Sequence, residues 1–177
     1  MKVLIALSLL IFFTSCKEEK STATPESSAP APAQVALDAS LFSQTLDKGL
    51  KISEARKLAP GDKVTVSGKI IGAPSVFVEG RASFVMGDPE PLISCDIREG
   101  DGCTTPWDVC CMDSKSIAAN TLSVQVVDKG GKVLKLGLKG QNGLKELAFL
   151  TVQGTIAPNS SAEAMIINAE AIQVNTK

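Results

Sequence analysis

The residues with the clearest chemical potential in this chain are its five cysteines. Cys16 follows a short apolar run near the N-terminus. The other four, called here the loop cysteines, fall within 17 residues: Cys95, Cys103, Cys110 and Cys111. The sequence contains no histidine, so the commonest general base and the commonest metal ligand are missing. Because no catalytic constellation stands out, we do not expect an enzyme.

The loop cysteines are expected to form disulfides, because their number is even and export would place them in an oxidising compartment. Four cysteines allow three pairings. The pairing that joins Cys110 to Cys111 is the least favoured, since it closes a strained ring of eight atoms. Successive side chains of an extended chain point to opposite faces. Cys110 and Cys111 are therefore expected to reach two different partners, Cys95 and Cys103, and both crossed pairings stay open.

Two alternatives treat the loop cysteines as a functional site. Zinc sites prefer C-x₂-C pairs, whereas the intervals here contain seven, six and no residues. A redox-active pair needs a lowered thiol pKa, but C-x-x-C is absent and Asp101 and Asp108 would raise the pKa. The loop carboxylates could hold Ca²⁺ but follow no EF-hand order: Asp88, Asp96, Glu99, Asp101 and Asp108. We therefore expect a structural loop with no metal and no cofactor.

Two other residues are candidate ligand contacts. Arg81 follows Glu79 and Gly80 in a predicted strand, where the two charged side chains are expected to form an exposed ion pair worth little. An arginine on a concave sheet face could still contact a ligand. Trp107, the single tryptophan of the chain, follows Pro106 and is expected to cover the cysteine staple.

Residues 1–16, MKVLIALSLLIFFTSC, have the character of an export signal. A charged start, an apolar stretch shorter than the ~20 residues of a membrane span, and small residues after it are typical of a signal peptide. The ending resembles the bacterial lipobox, although Phe13 replaces the usual Leu. The resemblance implies that residues 1–15 are removed and that Cys16 carries a membrane lipid. Lys17, in place of Asp, favours the outer over the inner membrane. The alternative is an ordinary signal peptide that leaves a soluble protein.

The rest of the chain divides by composition. Residues 16–37 are predicted to be the lipidated cysteine and a disordered linker rich in Ala, Pro and Ser. Residues 38–60 form a short helical lead-in, with Asp38 or Ser40 as its cap and Gly49 as the end of its first helix. Residues 61–177 form one β domain with a cysteine loop at 89–119.

Alternating apolar residues and turn signals predict the strands of this domain. They lie near 63–70, 75–86, 122–126, 133–138, 148–156 and 164–174, and the third and fourth are joined by a hairpin turn at 128–131. Residues 140–146 are predicted to be a short helical or loop connection.

Three glycine- and isoleucine-containing motifs resemble those of the OB-fold. The first strand has V-x-G-x-I at 66–70, a later strand repeats it at 152–156, and the last reads I-x-A-x-x-I at 167–172. The resemblance covers residues 62–175. It implies a mainly β protein with a small five-stranded OB-like barrel, a short N-terminal helix and a disulfide-stapled loop. The alternative is a small β-sandwich.

The sequences FVEGRASF (77–84) and CTTPWDVCC (103–111) resemble uncharacterised bacterial lipoproteins of the planctomycete and verrucomicrobial type. This resemblance implies an OB-like lipoprotein and carries no function.

Together these features predict a lipid-anchored cell-envelope protein, on the periplasmic side, whose OB-like module binds an envelope protein or a small ligand. One alternative is an envelope thiol-redox or metal-handling protein that uses the cysteine loop. The other is an OB-type nucleic-acid binder. A formal net charge of -1 and an aromatic content of 4% argue against nucleic acid.

Overall fold

The computed structural model describes residues 37–98, 100 and 102–175. The predicted signal peptide, Cys16 and the predicted linker through residue 36 lie outside the described residues. Among the described residues, no helix combines the length and the apolar character that a membrane crossing requires.

Five strands form a closed barrel in the order β1-β2-β3-β5-β4. The strands are β1 (Lys63–Lys69), β2 (Ser83–Gly87), β3 (Thr121–Gln125), β4 (Phe149–Ile156) and β5 (Ile166–Asn175). All neighbouring pairs are antiparallel except β3 and β5, which run parallel. This arrangement confirms the predicted small OB-like barrel, and closure of the sheet excludes the β-sandwich alternative.

The barrel interior is filled by the apolar residues of alternating strand positions, as the period of two requires. Val66, Phe84, Val124, Val152 and Ile167 have no exposed surface. The alternation of apolar residues therefore determines which face of each strand is buried. The cysteine loop lies outside this core.

The glycines of the two V-x-G-x-I motifs allow neighbouring backbones to approach closely. A Cβ at Gly154 would lie 2.2 Å from the carbonyl oxygen of Asn168. The pairing of β4 with β5 shifts register between Gln153 and Gly154, which is the bulge that lets a sheet coil. At Gly68 a Cβ would lie 2.8 Å from the carbonyl oxygen of Gly87. No larger residue fits either position without moving a strand.

The helical lead-in is shorter than predicted. A 3₁₀ turn at Ala39–Phe42 is capped by Asp38, whose carboxylate accepts a hydrogen bond from the Ser40 amide. Residues 43–49 are not helical, so the prediction of a helix ending at Gly49 is wrong. A Cβ at Gly49 would instead lie 2.6 Å from the β1 backbone. The chain therefore runs along β1 before α1 (Ile52–Ala55) begins.

Two predicted strands also differ from the structure. Residues 75–86 are not one strand, because the chain turns at Glu79 and Gly80 and Phe77 pairs back with Phe84. The turn at 128–131 forms as predicted, and Asp128 accepts hydrogen bonds from the amides that follow it. Its return arm makes only one bridge, Val127 to Val133. A short 3₁₀ turn, Gln141–Gly143, occupies the predicted connection before β4.

Candidate metal-binding site in the cysteine loop

The cysteine loop leaves and re-enters the barrel at one strand pair. Gly87, the last residue of β2, is paired with Thr121, the first of β3. The amide of Asp88 donates to the carbonyl of Asn120 at 2.9 Å, which extends that pairing by one step. Helix α2 (Ser114–Asn120) then leads into β3, and the Asp113 carboxylate caps it by accepting from the Ser116 amide. The pairing of β2 with β3 therefore holds both ends of the loop next to each other.

Two segments of the loop are joined through their backbones. The amide of Cys95 donates to the carbonyl of Asp108 at 2.9 Å, and the amide of Asp96 donates to the carbonyl of Pro106 at 2.8 Å. These bonds bring the 3₁₀ turn Cys95–Ile97 against the turn that follows Thr105. Cysteines far apart in the sequence are thereby brought together without a covalent link.

A buried lysine ties the same loop to the barrel. Lys69 on β1 is only 6% exposed, and its Nζ lies 2.8 Å from Asp96 Oδ2 and 3.3 Å from Ser94 Oγ. Partial burial alone would raise the pKa of Asp96, but hydrogen bonds from Lys69 and Ser94 and the charge of Lys69 hold that pKa below its ordinary value. The residues on both sides of Cys95 are therefore anchored by one ammonium group.

A small apolar cluster supports the loop from below. Ile71, Leu92 and Val109 are buried against one another, and Trp107 packs beside them. The indole Nε1–H of Trp107 donates to the carbonyl of Pro74 at 2.9 Å. Trp107 therefore joins the loop to the β1–β2 connection. Whether it contacts a ligand stays a prediction.

Arg81 lies apart from these contacts. It is exposed, in the turn that replaces the predicted strand, where its amide donates to the carbonyl of Val78. The nearby groove of about 460 Å³ is lined by Phe77, Glu79 and Trp107 among others. Arg81 is not part of that lining, and its predicted position on a strand face is wrong.

Three of the loop cysteines form a cluster, called here the three-thiol cluster: Cys95, Cys103 and Cys110. Their sulfur atoms all lie within 4.8 Å of one another. Cys95 Sγ is 3.7 Å from Cys110 Sγ, and Cys103 Sγ is 3.3 Å from the hydroxyl of Thr105. Cys111 is outside the cluster, although its sulfur lies 3.8 Å from Cys110 Sγ.

The predicted disulfides are not present in this structure. All four loop cysteines are free thiols, and the 3.7 Å between Cys95 and Cys110 far exceeds the ~2.05 Å of an S–S bond. Cys110 and Cys111 also lie in a turn. The extended geometry that would have sent them to different partners is therefore absent.

The distances suit a shared metal ion better than a covalent bond. A metal bound to sulfur at about 2.3 Å holds two thiolates about 3.8 to 4.0 Å apart in tetrahedral or trigonal geometry. The 3.7 Å between Cys95 and Cys110 is close to that edge. One of the three sulfur–sulfur distances therefore matches coordination of a shared ion, and the other two are 4.8 Å or less.

The three thiols differ in their readiness to ionise. Burial raises the pKa of Cys95 to about 12, and its hydrogen bonds to Cys103 and Cys110 act in the same direction. Hydrogen bonding to the side chain and backbone of Thr105 lowers the pKa of Cys103. A contact with Cys95 lowers the pKa of Cys110, but Cys111 and desolvation outweigh it and raise that pKa. Cys103 is therefore the thiol best prepared to be a thiolate.

The loop carboxylates do not assemble into a calcium site among the described residues. Asp96 is paired with Lys69, Asp88 accepts from the amide of Glu90, and Asp108 accepts from the amide of Val109. Glu99 and Asp101 lie outside the described residues. Each of the three described carboxylates therefore has at least one oxygen bonded to a donor of the protein itself.

Sequence reasoning overlooked Lys69 and Thr105. Lys69 occupies an outward position in the alternation of β1, which predicts an ordinary exposed lysine. Its burial depends on the loop folding over it, which no local pattern encodes. Thr105 stands two residues after Cys103, and that proximity was the one available signal.

No family model matches the chain, and no curated protein matches it. A solved structure to which the chain is similar is described as the OBody AM1L10 bound to hen egg-white lysozyme. The two chains are 14% identical, and the alignment covers 76% of this chain and 100% of that one, with a TM-score of 0.38. The fold assignment rests on the strand order and pairing described above.

Proposed function

We propose that this protein binds a soft metal ion, Cu(I), through the three-thiol cluster and handles that metal in the cell envelope. The observation that carries the proposal is the mutual distance of 4.8 Å or less among the sulfur atoms of Cys95, Cys103 and Cys110. The metal would be the ligand of the OB-like binding module that the sequence predicts. This proposal replaces the sequence-based expectation of a structural loop without a metal.

The donor set favours Cu(I) over other cations. Thiolates are soft ligands that select Cu(I), zinc and iron–sulfur clusters. Structural zinc sites are almost always four-coordinate with four protein ligands, and the described residues bring only three sulfur atoms together. Cu(I) accepts three thiolates in a plane. The chain has no histidine that could complete a zinc site.

The location proposed for this activity is the periplasmic side of an envelope membrane, with Cys16 as the lipid anchor and the outer membrane favoured. The support is the sequence of residues 1–16, with its apolar stretch and terminal cysteine. Lipid attachment through two or more acyl chains gives stable membrane binding. A nucleic-acid ligand remains disfavoured by the charge of the chain.

The test is Cu(I) binding to the full chain carrying Cys16→Ser, so that every bound ion reports on the loop. The reduced protein is titrated anaerobically in competition with bathocuproine disulfonate. We expect one Cu(I) per chain. Cys103→Ser removes a direct ligand and should weaken the affinity by at least roughly 100-fold, the upper end of the loss that follows mutation of a residue that only supports a ligand.

The matched control is Thr104→Ser, at the position next to Cys103, which should bind Cu(I) as the parent chain does. Native mass spectrometry of the same samples counts the metal and the thiols together. A parent chain that binds no Cu(I), or a Cys103→Ser chain with unchanged affinity, would overturn the proposal. Loss of four hydrogen masses with no metal, in a separate sample purified without reductant, would restore the disulfide interpretation.

A further inference from the structure

The three-thiol cluster has a closed end and an open end. Cys95 is 5% exposed, in the 3₁₀ turn that Lys69 anchors. Cys103 is half-buried, and Cys110 is exposed. The exposed thiol of Cys111 stands beside this open end, 3.8 Å from Cys110 Sγ. A bound metal would therefore be shielded on the side of Cys95 and accessible on the side of Cys110.

An open end of this kind is unlike a site that only stabilises a fold. Structural metal sites are closed by four protein ligands, whereas sites that act on another molecule keep a position free. The thiol nearest the free side is Cys111, which is not a member of the three-thiol cluster. Its sulfur lies 3.8 Å from Cys110 Sγ, within reach of an ion that Cys110 holds.

We propose, on the basis of the metal binding proposed above, that Cys111 is an exchange ligand that moves Cu(I) from the cluster to an acceptor protein bearing thiols. Cys110 and Cys111 would hold the ion together while the deeper ligands release it. The partner is defined by its chemistry: a protein that presents a pair of accessible cysteines.

The exchange proceeds in four steps: in the first three, one thiolate replaces another on the ion, and in the fourth the last protein thiolate leaves. In the first, the Cys111 thiol loses its proton to solvent and bonds to the ion, while the bond from the ion to Cys95 breaks and Cys95 takes up a proton. In the second, an acceptor thiol loses its proton and bonds to the ion as the Cys103 bond breaks and Cys103 is protonated. In the third, a second acceptor thiol loses its proton and bonds to the ion as the Cys110 bond breaks and Cys110 is protonated. In the fourth, the bond from the ion to Cys111 breaks and Cys111 takes up a proton from solvent, which leaves the ion held by the two acceptor thiolates. The oxidation state of Cu(I) does not change.

The order of release follows from the surroundings of the thiols. Cys95 is only 5% exposed, so an acceptor thiol cannot displace it directly and Cys111 must first take its place on the ion. Cys110, at the exposed end, can remain bound while an acceptor approaches. The gradient of burial thus favours movement of the ion outward.

The test compares equilibrium affinity with the rate of transfer. Full chain carrying Cys16→Ser is loaded with Cu(I) and mixed with a synthetic peptide that contains a C-x-x-C pair, and timed samples are examined by native mass spectrometry. Cys111→Ser should keep one Cu(I) per chain and nearly the parent affinity, yet transfer the ion at least roughly tenfold more slowly, equivalent to about 1.4 kcal/mol in the barrier.

Met112→Leu, which removes the neighbouring thioether, is the matched control and should transfer Cu(I) at the parent rate. If Cys111→Ser also transfers at the parent rate, Cys111 is not an exchange ligand. If Cys111→Ser no longer binds Cu(I), Cys111 is a resident ligand and the exchange role is equally overturned. Failure of the parent chain to bind Cu(I) would instead overturn the proposed function, so the two failures are distinguishable.

Discussion

At the scale of single residues, the burial and the partners of a charged group decide how much it contributes to the stability of the fold. The Lys139–Glu146 ion pair joins a lysine side chain that is 62% exposed to a carboxylate that is 16% exposed. Burial alone would raise the pKa of Glu146, but the hydrogen bond and charge of Lys139 outweigh it and lower that pKa. The lysine therefore makes a partly buried carboxylate tolerable.

Lys139→Met should remove that compensation. In the parent chain the stability gained from Glu146 is present above its ordinary pKa of 4.5 and is lost as the pH falls through the lower folded value. In the variant, burial is opposed only by a backbone hydrogen bond, so the pKa of Glu146 in the folded protein should rise relative to the parent chain. The variant should then be less stable at pH 7, by at most about 1 kcal/mol because the lysine is exposed.

Urea unfolding at pH 7 and at pH 4 checks this prediction, since the difference between parent and variant should shrink at the lower pH. Lys135→Met, at an exposed lysine of the same segment, is the control and should not alter the pH dependence. A deficit that is equal at both pH values would contradict the argument.

The cysteines show how far residue types alone can be interpreted. Their even number predicts two disulfides, which the structure does not contain, whereas three of the four lie together as free thiols. Whether two of these cysteines form a disulfide or remain thiols depends on the distance between their sulfur atoms, which is 3.7 Å for Cys95 and Cys110. That distance is set by backbone hydrogen bonds to Asp108 and Pro106 and by Lys69 on another strand. None of these contacts is local in sequence, so the thiol cluster could not be predicted from spacing.

At the scale of elements, close approach of strands β4 and β5 depends on a missing side chain. A Cβ at Gly154 would meet the Asn168 carbonyl oxygen at 2.2 Å, which no rotamer change can relieve because both atoms belong to backbone. Gly154→Ala should therefore lower the free energy of unfolding by about 2 to 3 kcal/mol.

Urea denaturation of the full chain measures this loss. Gly137→Ala is the matched control, because a Cβ there would meet nothing within 4 Å, and it should change the stability by no more than about 0.5 kcal/mol. Equal stabilities of the two variants would show that the barrel relaxes at the bulge.

Element prediction succeeded where one period persisted and failed where a turn interrupted it. Lys63–Lys69 alternates cleanly, and β1 has those bounds. Residues 75–86 also look apolar enough for one strand, but Gly80 adopts a φ of +65°, and the chain reverses there. The pattern of side chains cannot distinguish an extended strand from two short arms that pair across a glycine.

At the scale of the whole molecule, the proposed anchor determines where the thiols operate. We expect Cys16→Ser to move the protein from the membrane fraction to the soluble fraction, because the attached acyl chains supply the membrane affinity. Fractionation of the envelope, followed by mass spectrometry of the mature N-terminal peptide, measures both location and lipid. Ser15→Thr offers a control that keeps the cysteine.

An unmodified Cys16 on a membrane-bound parent protein would contradict the anchor, and so would a Cys16→Ser variant that stays with the membrane. The thiol cluster lies on a separate part of the chain, so Cu(I) binding should be the same in both fractions. The composition and the strand pattern predicted the barrel that carries it.

The shared base of the cysteine loop has a consequence for how such a protein can be altered. Residues 88–120 begin and end beside the paired residues Gly87 and Thr121. The segment is therefore an insertion between the ends of two neighbouring strands. The longest strand pairings of the barrel are β1 with β4 and β4 with β5. The insertion does not interrupt either of them. Ile71, which precedes the insertion, packs against Leu92 and Val109 within it. The sequence of the insertion, and with it the chemistry of the site, can therefore change while the barrel fold is kept.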